Sequence, residues 1–141
     1  AMLPPSPTAG KYILTLFVGA NLPVGSDMAT FLTDYAAYCS ARKSAGWKVA
    51  VCTILPRISD VSDSFNTRRH TINTAIAGWV TAGYCDAVID FAADPNMGID
   101  AAANGTGTWD ATYYSDGVHP TTAGQALLET IYRPVVNGML A

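Results

Sequence analysis

His119 is one of only two histidines in 141 residues, and Asp116 stands three positions before it in "SDGVHPTTAG" (115–124). Across a tight turn that spacing brings a carboxylate against an imidazole. Such a contact fixes the ring's tautomer and stabilises the imidazolium, which prepares the other ring nitrogen to take a proton. Pro120 presets the first turn of a following helix and holds the histidine at its mouth. A second candidate is Asn21 in "GAN" (19–21), directly after an apolar run. A carboxamide there can aim its N–H groups at a developing oxyanion, and Gly19 lets backbone approach closely. Taken singly, each of these residues also suits a turn or a cap.

The surrounding elements read as strand and helix in alternation. "KYILTLFV" (11–18) is a continuous apolar run, the pattern of a strand buried on both faces. A helix follows, with Ser26 or Asp27 as N-cap and Met28, Phe31, Leu32, Tyr35 and Tyr38 at helical spacing; Arg42, Lys43 and Gly46 close it. "WKVAVCTILP" (47–56) is a second buried strand, stopped by Pro56. The spacing then predicts a helix over 66–81 ending at Gly83, a strand over 85–92, a polar Gly-rich loop, and a last helix over 121–136 that Pro134 kinks or frays. This rhythm predicts an α/β fold, a three-layer parallel sheet with helices on both faces, whose ligands bind at the carboxyl ends of the strands. "GAN", "RISD" (57–60) and "DPN" (94–96) lie at three such ends.

Half of the residues are hydrophobic, 13% are charged and the net charge is -3. Disorder and a nucleic-acid partner are therefore not expected. No apolar run nears the roughly 20 residues of a membrane span, so none is expected. Residues 1–10 read as a lead-in with an "AM" tag scar, and 11–141 as one domain. Cys39, Cys52 and Cys85 have no metal-type spacing and read as buried thiols. Asp94, Asp100 and Asp110 fit no calcium motif, and neither a metal nor a cofactor is expected. His70, after Arg68 and Arg69, reads as solvated, and Trp109, Tyr113 and Tyr114 read first as packing residues.

"FVGANL" after the first strand and "SDGVHPTTAGQALLETI" before the last helix resemble the Gly-x-Asn-Asp and Asp-x-x-His-Pro blocks of the SGNH, or GDSL-type, serine ester hydrolases. "VAVCTILPR" and "RRHTINTAI" resemble that family's fourth strand and following helix. The resemblance implies a flavodoxin-like fold and an acyl-enzyme esterase mechanism. It also implies His119 as general base, Asp116 as its orienting acid, and an oxyanion hole at Asn21 and Gly19. The substrate implied is a small ester or an acylated carbohydrate.

Two departures accompany it. Leu22 stands where the family has an aspartate, and the opening strand ending in Gly-Asp-Ser, with the strand after it, has no counterpart. Ser6, Ser26, Ser59, Ser62, Ser64 and Ser115 all lack the strand-to-helix elbow that activates a serine. The nucleophile is therefore expected upstream or on a partner chain. The absent strand would lie beside residues 11–18, so that edge is expected to pair with the amino-terminal segment or with a second copy. The alternative is a non-catalytic α/β binding or interaction module.

Overall fold

The structure is a computed structural model that describes residues 12–23, 25–57, 64–98 and 109–141. The lead-in 1–10, Ser59 and Ser62 lie outside the described residues. Seven elements follow in order: β1 (Ile13–Leu16), α1 (Met28–Ser44), β2 (Lys48–Cys52), α2 (Ser64–Ala77), β3 (Ala87–Ile89), a 3-10 turn (Phe91–Ala93) and α3 (Thr122–Leu140). The strands form a parallel sheet in the order β1-β2-β3, with Leu14 opposite Val49 and Val51 opposite Val88.

Alternation along β2 sets the layers. Val49 and Val51 face α1 and α2, where they meet Tyr35, Cys39, Ile72, Ile76 and Trp79. Ala50 and Cys52 point the other way, with Ile89 and Met97, onto Leu127, Leu128, Ile131 and Val135 of α3. The sheet is thus sandwiched between helical layers, as expected for apolar strands with no polar face. Among the described strands β1 pairs with β2 alone, and beyond it Phe17 and Val18 are 50% and 41% exposed. No helix is long and apolar enough to cross a membrane among the described residues.

The helix over Met28–Ser44 starts at Asp27, whose carboxylate accepts from the Ala29 and Thr30 amides at 3.0 and 3.3 Å and from the Thr30 hydroxyl at 2.7 Å. Ser26 instead turns its hydroxyl onto the Pro23 carbonyl. Beyond the C-cap Ala45, Gly46 takes a φ of +91°, a conformation that favours glycine.

Several boundaries differ from expectation: the first strand spans Ile13–Leu16 rather than 11–18, the second Lys48–Cys52 rather than 47–56, and the second helix starts at Ser64 rather than 66. The second helix stops at Ala77 and not at 81, because Trp79 leaves the helical path to lie edge-on against Tyr35 at 5.0 Å. The third strand is three residues long, not eight: beyond Ile89 the chain enters the 3-10 turn Phe91–Ala93, and at each end an aspartate side chain adds a hydrogen bond beside the backbone pairing. Asp86 accepts from the Val49 amide and Asp90 from the Thr53 hydroxyl. The last helix runs through Pro134 to Leu140 rather than fraying. Val135, Val136 and Met139 pack on the α3 side of the sheet, and Lys48 Nζ donates to the Met139 carbonyl, which holds the turns after the proline.

Candidate functional site

The loop before α3 is closed on itself. Tyr114 and Pro120 form an isolated antiparallel bridge, the Ser115 amide donates to the His119 carbonyl at 2.9 Å, and the Thr121 amide donates to Tyr113. Gly117 turns the chain with a φ of +77°. Tyr114, fully buried, anchors the base of the loop by donating to the Met97 carbonyl at 2.6 Å. Thr121 then caps α3 by accepting from the Gly124 amide.

Within that loop every acceptor of Asp116 has a task. Oδ1 accepts the Val118 and His119 amides at 3.0 and 2.8 Å, and Oδ2 lies 2.7 Å from His119 Nδ1. The hydrogen bond from the His119 ring, joined by the two amides, holds the Asp116 carboxyl down at about 2. The pair is open to solvent, with side chains 75% and 54% exposed for His119 and Asp116. With Nδ1 engaged, Nε2 has no hydrogen-bond partner among the described residues and is the nitrogen left for a reacting group.

His119 and Asn21 line one cleft of about 250 Å³ at the carboxyl ends of β1 and β2. Its walls include Phe17, Ile54, Leu55, Pro56, Phe65, Val118 and Pro120, and Arg57 also lines it. Gly19 is not among them. It takes a φ of +108°, its carbonyl accepts from Leu22, and a Cβ there would come within 2.7 Å of Ile54 Cδ1. Glycine at that position is accounted for by the turn and by the packing beneath it. Leu22 packs on the α1 and α2 side of the core, which explains an apolar residue there.

The remaining candidates lie elsewhere. Tyr114 is core, Tyr113 packs against the α3 layer, and Trp109 is outside the cleft lining. Ser115 gives its hydroxyl to the His119 backbone carbonyl, not to the ring. Asp94 and Asp110 each accept backbone amides in their own turns, and Asp100 lies outside the described residues. His70 is exposed, as read from the sequence.

Three polar residues escaped the sequence reading. Asn73 brackets Ile54, accepting from its amide at 2.8 Å and donating to its carbonyl at 2.9 Å. Arg69 is buried and donates to the carbonyls of Ile54 and Gly98. Both residues border a wider cleft of about 460 Å³ with Thr53, His70 and Asp90. Arg57 donates to the Ala20 carbonyl at 3.2 Å, and its guanidinium lies 4.1 Å over the Phe65 ring. The one signal for Arg57 was its place just after Pro56, at a strand end.

No family model matches this chain, and a search of curated proteins finds no match.

Proposed function

We propose that the chain is the His/Asp/Asn-bearing portion of a serine ester hydrolase of the SGNH type. Its fold would then be a flavodoxin-like domain whose first two strands are supplied from upstream or by a partner chain. The observation that carries this reading is the Asp116–His119 contact, at 2.7 Å, in a loop whose histidine shares a cleft with Asn21.

The chemistry follows from the donors present. A serine hydroxyl brought to the cleft loses its proton to His119 Nε2 as its oxygen attacks the ester carbonyl. The carbonyl electrons move onto oxygen, where the Asn21 carboxamide donates to the oxyanion. Asp116 stays ionised and stabilises the imidazolium. The ring then gives the proton to the departing alkoxide, and water repeats the cycle to release the acid. Strand β1, with its outer edge unpaired among described strands, is where the strand carrying the serine would add.

An assay with a short activated ester tests this. The 141-residue chain alone should be nearly inactive. Joined to the segment encoded ahead of Met2, it should hydrolyse the ester and lose about 10²–10⁴-fold in rate on His119→Ala. Activity that survives His119→Ala overturns the reading.

A second reading, a non-catalytic binding module, is favoured by Leu22, which is packed into the core where the family has an acid, and by the absence of a serine hydroxyl on the His119 ring among the described residues. A lead segment without a serine that confers activity would decide for it.

A further inference from the structure

We infer that the cleft between Asn21 and His119 binds short aliphatic carboxylates, with Arg57 as the group that recognises the anion. Deepening the hydrolase reading, it rests on that reading for its meaning, because a short carboxylate is the acid an ester hydrolase would release. Binding itself needs no nucleophile.

Three features carry the inference. The first is size. At about 250 Å³ the cleft falls below the roughly 300–1,000 Å³ of sites for drug-sized ligands, which leaves room for a small guest. The second is polarity. Phe17, Ile54, Leu55 and Phe65 make apolar walls suited to an alkyl chain, while the polar side chains among the described residues, Asn21, Arg57 and His119, include no carboxylate. A guest with an apolar tail and an anionic head matches both parts.

The third is the state of Arg57. Its guanidinium is fixed in two ways, by the hydrogen bond from Nη1 to the Ala20 carbonyl and by stacking on Phe65. Ala20 precedes Asn21, so the cation is held against the loop that carries the carboxamide. Its buried Nε has no acceptor, and no described residue forms an ion pair with it. A cation of this kind, prealigned and without a counter-ion among the described residues, is suited to a carboxylate through its planar set of donors. Asp116, two positions before the cleft residue Val118, is already occupied by His119 and two amides.

Titration of the ¹⁵N-labelled chain with butyrate at neutral pH tests the inference. Butyrate should shift the Asn21 side-chain amide and the Val118 and His119 backbone amides saturably, and neutral butyramide should bind about tenfold more weakly. Arg57→Gln should weaken butyrate about tenfold, and Arg57→Lys, which keeps the charge, less so, with both variants checked for native amide spectra. Equal binding of butyrate and butyramide, or unchanged butyrate binding by folded Arg57→Gln, overturns it. Failure of the hydrolase reading looks different. In that case butyrate binds through Arg57 while the chain joined to its upstream segment has no His119-dependent esterase activity.

Discussion

Asp116 and His119 are tied twice, through the ring nitrogen at 2.7 Å and through the His119 backbone amide at 2.8 Å, each to a different carboxylate oxygen. The backbone bond fixes where the histidine starts, and the ring bond fixes where it points. A residue three positions away thus sets both the position and the tautomer of the ring, on a loop that Tyr114 anchors to the Met97 carbonyl.

The acid side of this pair can be titrated. Asp116 should lose its charge near pH 2, well below the ordinary 3.8, and the largest cause is the hydrogen bond from His119. Because the folded value is depressed, the stabilisation is full above the unfolded value and fades as pH falls toward the folded one. Carboxyl-detected NMR should therefore show the Asp116 midpoint move up toward 3.8 in His119→Ala. An unchanged midpoint would show that the amides alone hold the carboxylate.

Asn21 should matter to rate more than to fold, because its side chain is exposed and lines the cleft. In the chain joined to its upstream segment, Asn21→Ala should lower kcat by about 10²–10³-fold with little effect on KM. A change confined to KM would mean that the carboxamide binds substrate and does not stabilise the oxyanion.

Gly19→Ala should destabilise the fold by about 1–3 kcal/mol, since the new Cβ combines a φ of +108° with a 2.7 Å approach to Ile54. Urea denaturation measures this directly. Stability within a few tenths of the parent would show that Ile54 can swing aside and that the turn tolerates a side chain.

The outer edge of β1 should not stay bare. Native mass spectrometry and light scattering of the purified chain should find dimers or larger species at micromolar concentration, dissociating when the upstream segment is co-expressed. A well-folded monomer with rapidly exchanging amides along residues 13–16 would remove the pairing proposal.

The parts legible in the sequence are those with local causes. A cap at Ser26 or Asp27, the Gly46 stop and the Asp116–His119 spacing each depend on residues within a few positions, and only the structure assigns the cap to Asp27. Boundaries set by distant partners were not legible. Pro134 breaks a helix by local rules, but Val135, Val136 and Met139 pack against the sheet and carry the helix past it. The third strand is shorter than its apolar run because the chain turns at Phe91–Ala93, where Phe91 packs into the core on the α3 side, which the run itself does not signal. The approach of Asn21 to His119 followed from the order of elements in a parallel sheet. The place of Arg57 at the cleft did not, because it depends on where one loop carbonyl, that of Ala20, comes to rest.

The three cysteines give the molecule a built-in gauge of its own loosening. Cys39 and Cys85 are sealed under α1 and α2, whereas Cys52 is sealed under α3. Burial pushes the Cys39 and Cys52 thiols up to about 11 and about 12 and raises Cys85 as well, so at neutral pH none offers an appreciable thiolate while packed. Each becomes reactive when its own helical layer lifts. The order in which an alkylating reagent marks them in native buffer therefore records which side of the sheet is uncovered first. Early marking of Cys52 would identify α3, the helix joined to the Asp116–His119 loop, as the layer that breathes.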